Sequence, residues 1–213
     1  MAAESIRTRP DLGRILMVPA TAIVLLLDVM ALAGRGGEGA LRWAGTLLAV
    51  AFYVLVIWCY LRRGAARATT SSVTARVAAV MATWIPFVIP WLHGAPPGAV
   101  WQGVSDALLL GGTAWAIWSL RSLGRNLSVI AQARDVADRG PYRWVRHPLY
   151  VGEIVSSLGL AIAAHSVAAL AVWLGICGLQ VYRAVREEQL LLAVLPGYGA
   201  YRIRTAALLP RVF

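Results

Sequence analysis

Lysine is absent altogether and acidic residues are scarce: the 213-residue chain sets 20 basic residues, every one an arginine, against 10 acidic ones. Charged residues make up 14% of the chain and hydrophobic residues 59%. Soluble domains carry roughly a quarter charged residues, so this balance excludes an ordinary water-soluble globule. Cysteine is nearly missing as well. Cys59 and Cys177 both lie inside apolar runs, which makes them packing residues rather than a disulfide or a metal pair, and no metal site is expected. The short alternating segments of a membrane β-barrel do not occur, nor do internal repeats or low-complexity linkers. What remains is long runs rich in Leu, Ala and Val. Inside lipid every backbone polar group must be paired within its own segment, so such runs mean helices.

Six apolar segments can be drawn, at about 15–33, 42–61, 73–92, 100–120, 149–164 and 166–182. The expected fold is therefore an all-α integral membrane protein of about six transmembrane helices. Its last two segments, separated only around His165, form a tight helical hairpin, and the sixth can continue beyond the membrane into Arg183–Leu195. A single domain, residues 1–213, is the simplest organisation, with 1–120 as N-terminal transmembrane helices and 121–213 as a half with chemistry of its own. Arg7 and Arg9 precede a run that is long for a signal peptide and lacks a small-residue cleavage site, so the first span is expected to be retained.

A formal net charge of +10 raises nucleic acid as a partner. The arginines, however, sit in the gaps between apolar runs, where anionic headgroups attract them, and no nucleic-acid motif accompanies them. They cluster before residue 15, in 62–76, in 121–146 and in the C-terminal tail, while the opposite loops hold only Arg35 and Arg42. An even number of spans with both termini cytoplasmic satisfies this pattern, and the expected location is a bacterial plasma membrane. Trp84, Trp91 and Trp101 fit interfacial anchors, and Pro86 and Pro90 should bend the third span. Asp28 and Asp106 are the conspicuous acids in or near spans. Asp106 reads as an interfacial or helix-start residue, whereas Asp28 is functional, faces a neighbouring helix or lies near the outer surface.

Chemistry is concentrated after residue 120. Gly140 to Gly152 reads Gly-Pro-Tyr-Arg-Trp-Val-Arg-His-Pro-Leu-Tyr-Val-Gly, a polar loop running directly into an apolar helix. Pro148 suits the first turn of that helix, and the helix start offers unpaired N–H groups to an anionic ligand. Taken alone, His147 is a capping or interfacial histidine. Next comes Arg183-Ala-Val-Arg186-Glu187-Glu188, which places Arg183 and Glu187 one turn apart on one face. Alone this is a surface ion pair. Read as a site, it pairs an acid for a cationic ligand group with a base for an anionic one. Last comes Tyr198-Gly-Ala-Tyr201-Arg-Ile-Arg204, ending at Leu209-Pro210.

In this order, after hydrophobic spans, the three elements resemble the isoprenylcysteine carboxyl methyltransferase family and the related phospholipid N-methyltransferases. The resemblance covers about residues 120–211. It implies an S-adenosylmethionine-dependent methyltransferase with a cytoplasmic cofactor site. Tyr142, His147, Pro148, Leu149 and Tyr150 would line the cofactor pocket, with Glu187 contacting the same cofactor. Arg134, Asp135, Val136 and Ala137 occupy the place of a cofactor-lining strand that often begins with His, where this chain has Arg134. Arg183 matches the arginine that engages the acceptor. The implied acceptor is a lipophilic small molecule or prenylated group, an isoprenylcysteine or similar isoprenoid carboxylate, reached from among membrane lipids. An amine acceptor would need a base, for which Glu188 is the nearest candidate. Leu195-Pro-Gly-Tyr198 departs from the family, in which two more residues often precede the tyrosine.

Two rival functions stand beside this one. Membrane sterol or enone reductases, which bind NADPH, also use Arg-His-Pro-x-Tyr-x-Gly-Glu, and Glu153 follows Gly152 here; the paired Glu187-Glu188 favours the methyltransferase. A non-enzymatic lipid-binding or transport protein is motivated by the six apolar segments and Asp28. Transporters tend to place polar sites near the midplane and to show related halves, and no second copy is visible here.

Overall fold

A computed structural model describes residues 12–33, 40–63, 68–129, 132–133 and 136–208. Helices dominate: α1 (Leu12–Ala33), α2 (Ala40–Arg62), α3 (Val73–Trp84), α4 (Ala99–Leu123), α5 (Pro148–Ala164), α6 (Val167–Val194) and α7 (Tyr198–Arg204). The six apolar segments fall on α1 through α6. Three stretches, Trp43–Arg62, Val73–Trp91 and Val167–Val194, are long and apolar enough to cross a membrane. Ile15, Leu16, Ile23, Leu26 and Met30 on α1 are exposed, an outward apolar surface that lipid would cover.

Helix ends are tied down by side chains. A helix leaves its last carbonyls without intrahelical donors, and at the end of α2 these are met by Arg14 of α1. The guanidinium donates to the carbonyls of Tyr60 (3.0 Å), Leu61 (3.2 Å) and Arg63 (3.1 Å). Ser72 caps α3 by accepting from the Ala75 amide at 3.3 Å. The third apolar segment does bend: it continues from α3 as a 3₁₀ turn, Ile85–Trp91, because Pro86 and Pro90 cannot donate to an α-helical ladder.

Helices α4 and α5 pack closest. A Cβ on Gly112 would lie 2.4 Å from the Ser156 amide nitrogen, so only glycine permits the backbones to meet there. Ser105 Oγ adds a cross-helix bond to the Gly159 carbonyl at 2.8 Å. Pro148 opens α5 at its first turn, as its ring and missing N–H dictate. α5 ends at His165, in the left-handed conformation at φ 47°, and α6 begins two residues later, which makes the expected hairpin. α6 then runs without a break through Arg183, Glu187 and Glu188 to Val194.

The cofactor-lining segment expected at Arg134–Ala137 lies partly outside the described residues, and a short strand precedes it. Gln132–Ala133 pairs antiparallel with Ala68–Thr69, two residues on each side. Val136 and Ala137 are irregular, and Arg134 and Asp135 lie outside the described residues. The buried cluster of Cys59, Tyr60, Leu120, Leu149, Tyr150 and Ala184 sits where α2, α4, α5 and α6 converge, directly beneath the loop that leads into α5.

Candidate functional site

Three stretches remote in sequence meet at one end of the helix bundle. The Gly140–Arg143 turn starts at a glycine with φ 58°, where a side chain would strike Ser122 Oγ. The tail that follows α7 is laid along the next residues of this loop. The amide of Arg146 donates to the Ala206 carbonyl at 2.8 Å, and that of His147 donates to Ala207 at 3.0 Å. Tyr201 of α7 donates its phenolic proton to the Tyr142 carbonyl at 2.6 Å. The tail thereby fixes the loop and buries Tyr142, Tyr198 and Tyr201.

Glu188 is the electrostatic hub. Its Oε1 accepts from Arg146 Nε at 2.7 Å and from His147 Nε2 at 3.1 Å, and its Oε2 lies 3.2 Å from Arg146 Nη2 and 3.3 Å from Arg202 Nε. A carboxylate can only accept, so His147 carries its proton on Nε2. Arg146 also donates to the carbonyls of Arg202 and Thr205, which joins Glu188 to the tail.

Glu187, on the adjoining position of α6, faces elsewhere. Its Oε2 accepts from the Tyr150 hydroxyl at 2.7 Å and lies 3.8 Å from His147 Nδ1. The rings of His147 and Tyr150 stack with centroids 5.3 Å apart and planes 8° off parallel. One turn earlier, Arg183 lays its guanidinium over the other side of the network, 4.5 Å from the Tyr150 ring centroid. Its Nη1 donates to Gln180 Oε1 at 2.9 Å and its Nη2 to the Val129 carbonyl at 3.2 Å. Glu153 Oε2 stands 3.8 Å from Nη1 and accepts from Gln180 Nε2 at 2.6 Å. The buried Nε of Arg183 has no acceptor among the described residues.

Two cavities adjoin these groups. The larger, about 430 Å³, runs among the helices from Asp28 and Tyr53 to Glu153, Arg183 and Glu187, and its wall is mostly apolar. The smaller, about 50 Å³, lies under the tail and is walled by Val136, Ala137, Leu191, Leu195, Tyr198 and Tyr201. Leu123, Asn126, Tyr142, Arg146, His147 and Glu187 line both, so the two spaces share a wall. Burial favours the protonated form of the tyrosines around the smaller cavity: Tyr201 is pushed up to about 12, and Tyr142 is raised by its burial and by the nearby Glu187 charge.

The residues singled out from sequence are distributed unevenly over this geometry. Tyr142, His147 and Glu187 line both cavities; Leu149, Tyr150 and Arg183 line the larger one; Val136 and Ala137 line the smaller. Pro148 lines neither. It is fully buried, and its carbonyl accepts from Trp115 Nε1 at 2.9 Å, which anchors the start of α5 to α4. Glu188 also lines neither, being turned into its cluster of cations. Sequence reading passed over Arg146 and Gln180 and considered Glu153 only as part of a reductase motif. For Arg146 the signal was its position immediately before His147. For Gln180 it was a lone amide in an apolar run, one turn before Arg183.

A bundle of apolar helices carries a polar, aromatic-walled site where loop, helix end and tail meet, which is the architecture of a helical membrane protein. Residues 101–195, less than half of the chain, match the phospholipid methyltransferase family, to which the sequence motifs bear their resemblance. Among curated proteins, the chain is similar to the cobalt-zinc-cadmium resistance protein CzcN of Cupriavidus metallidurans, 39% identical over 75 residues, which is 34% of each chain. It is also similar to the nickel-cobalt-cadmium resistance protein NccN of Alcaligenes xylosoxydans xylosoxydans, 35% identical over 83 residues, 38% of each chain. The matched stretch thus spans little more than a third of either relative.

Proposed function

We propose that the protein transfers a methyl group from S-adenosylmethionine to the carboxylate of a lipophilic acceptor, such as an isoprenylcysteine, with the cofactor on the tail side of the shared wall and the acceptor in the larger cavity. The observation that supports this most directly is the pair on α6: Glu187 lines both cavities, while Arg183, one turn away, lines only the larger. Glu187, Tyr142 and His147 in the shared wall suit the sulfonium end of the cofactor chemically, since a carboxylate and aromatic faces favour a cationic ligand, and the smaller cavity of about 50 Å³ has room for only part of the molecule. When bound, S-adenosylmethionine supplies a methyl group activated on a sulfonium.

The protein's part is binding and orientation. Arg183 fits a carboxylate because its Nε–H is buried, unsatisfied and fixed in direction by the partners of Nη1 and Nη2. As an acceptor oxygen bonds to the methyl carbon, the carbon–sulfur bond breaks with its electron pair going to sulfur, and no proton is released. Such a transfer needs alignment and exclusion of water more than acid or base catalysis. Glu188 then serves as a positioning residue, clamping Arg146 and His147, rather than as a base. All six long helices are read as spans with both termini cytoplasmic, so that the acceptor enters sideways from lipid.

The test is a methyl-transfer assay of the purified protein with labelled S-adenosylmethionine, offering farnesylated cysteine and membrane-lipid extracts and identifying the labelled product. A labelled methyl ester is expected. Binding of NADPH with no response to S-adenosylmethionine would overturn the proposal in favour of a reductase.

A further inference from the structure

Glu153 occupies the acceptor side of the site without a role in it. It lines the larger cavity and not the smaller, and its side chain is 30% exposed, against 6% for Arg183. Between the two stands Gln180, fully buried, with both ends of its amide committed: the N–H to Glu153 at 2.6 Å and the carbonyl to Arg183 Nη1 at 2.9 Å. The opposed demands of a carboxylate and a guanidinium admit only this orientation of the amide. Gln180 therefore acts as a spacer, keeping Glu153 at 3.8 Å from Arg183 instead of in a direct two-bond contact, and the buried Nε of Arg183 has no acceptor among the described residues.

We infer that Glu153, acting through Gln180, is a positioning residue that attenuates the charge of Arg183 and so keeps a bound acceptor carboxylate reactive. This inference rests on the carboxylate reading above. An arginine with no compensating acid in an apolar cavity would hold a carboxylate strongly, because charges attract more in a low dielectric. During transfer the carboxylate loses its negative charge as it becomes an ester. Whatever stabilises that charge in the bound state is therefore lost on the way to the transition state and adds to the barrier. With Glu153 beside it and Glu187 one turn away, the positive charge of Arg183 is already offset before the acceptor arrives. Arg183 can still orient an oxygen through Nε, but it does not trap the anion. The same balance disfavours a doubly charged phosphate, which would bring excess negative charge next to Glu153 and Glu187.

The experiment uses the full chain in detergent and compares wild type, Glu153→Gln, Glu153→Asp and Gln180→Met. Equilibrium titration measures binding of farnesylcysteine and of its neutral methyl ester, and the labelled assay measures KM and kcat. Glu153→Gln should bind the carboxylate about tenfold more tightly, with the ester unchanged and kcat reduced, since the attraction to Arg183 is no longer offset. Glu153→Asp should return toward wild type in both. Gln180→Met should shift carboxylate but not ester affinity even if Glu153→Gln is poorly folded. Parallel losses of carboxylate and ester binding would mark Glu153 as purely structural and overturn the inference. An Arg183→Met variant that binds carboxylate and ester as the wild type does would instead remove the Arg183 reading itself, a separate failure that the Glu153 variants do not decide.

Discussion

The phenol of Tyr201 donates to the backbone carbonyl of Tyr142 at 2.6 Å, across 59 residues of sequence and with both side chains buried. The bond joins the last motif to the first. Removing it leaves a buried carbonyl with no donor, which costs about 1–3 kcal/mol. Tyr201→Phe should lower the melting midpoint in detergent and weaken S-adenosylmethionine binding, because the loop that carries Tyr142 loses its restraint on the tail side. Alkali gives a second readout. The folded Tyr201 is pushed up to about 12 from an ordinary 10, so its contribution to stability is complete below pH 10 and disappears as pH rises toward 12. Tyr201→Phe should show less of this alkaline loss than wild type.

Glu188 separates structure from catalysis. Truncation to alanine strands Arg146 and His147, both nearly buried, and frees the tail contact through Arg202. Breaking a buried pair from one side costs about 3–5 kcal/mol, so Glu188→Ala should fold poorly, and Glu188→Gln should recover much of the stability by keeping acceptor geometry toward Arg146. If Glu188 were a base for an amine, Glu188→Gln would instead be stable and inactive. Melting curves and single-turnover rates on the same preparations decide between these outcomes.

Much of this arrangement was legible in the sequence, for identifiable reasons. Long apolar runs and the grouping of arginine locate helices because lipid leaves the backbone one way to satisfy itself. Pro148, Pro86 and Pro90 mark a helix start and a bend because proline acts locally. The site was legible only as far as its residues sit inside compact motifs. Glu187 and Glu188 are neighbours in sequence but point to different partners, Tyr150 for one and Arg146 with His147 for the other. No periodicity rule says which of two adjacent acids meets the ligand. The joint arrangement of Gln180 and Glu153 was not legible for a related reason: it depends on α5 and α6 being packed side by side, a tertiary fact.

Helices α4 and α5 should be the least tolerant part of the bundle. Gly112 and Gly152 sit where added side chains would meet backbone, with a Cβ on Gly152 placed 2.9 Å from the Ala116 amide nitrogen. Gly152→Ala should cost about 1–3 kcal/mol as an overpacking substitution and, by shifting the start of α5, weaken cofactor binding as well. Gly175→Ala, on α6 where nothing stands in the way, should be silent. Parallel thermal melts of the two variants check the contrast.

The division of labour along α6 makes the last prediction. Arg183 and Glu187 are one turn apart and both touch Tyr150, yet one lines a single cavity and the other lines both. Lysine in place of Arg183 keeps the charge but cannot span the Gln180 carbonyl, the Val129 carbonyl and a third acceptor at once, since those contacts use the planar fork of the guanidinium. Arg183→Lys should therefore raise the acceptor KM by about tenfold or more while S-adenosylmethionine binds as in wild type. Glu187→Gln should do the reverse, because the Tyr150 hydroxyl still finds an oxygen on the amide while a cationic ligand loses its counter-charge. Isothermal titration with the cofactor, alongside acceptor kinetics, reads both columns of this comparison. A loss of cofactor binding in Arg183→Lys equal to that in Glu187→Gln would mean that the two residues act as one ion-pair network and that the boundary between the two cavities has no chemical meaning.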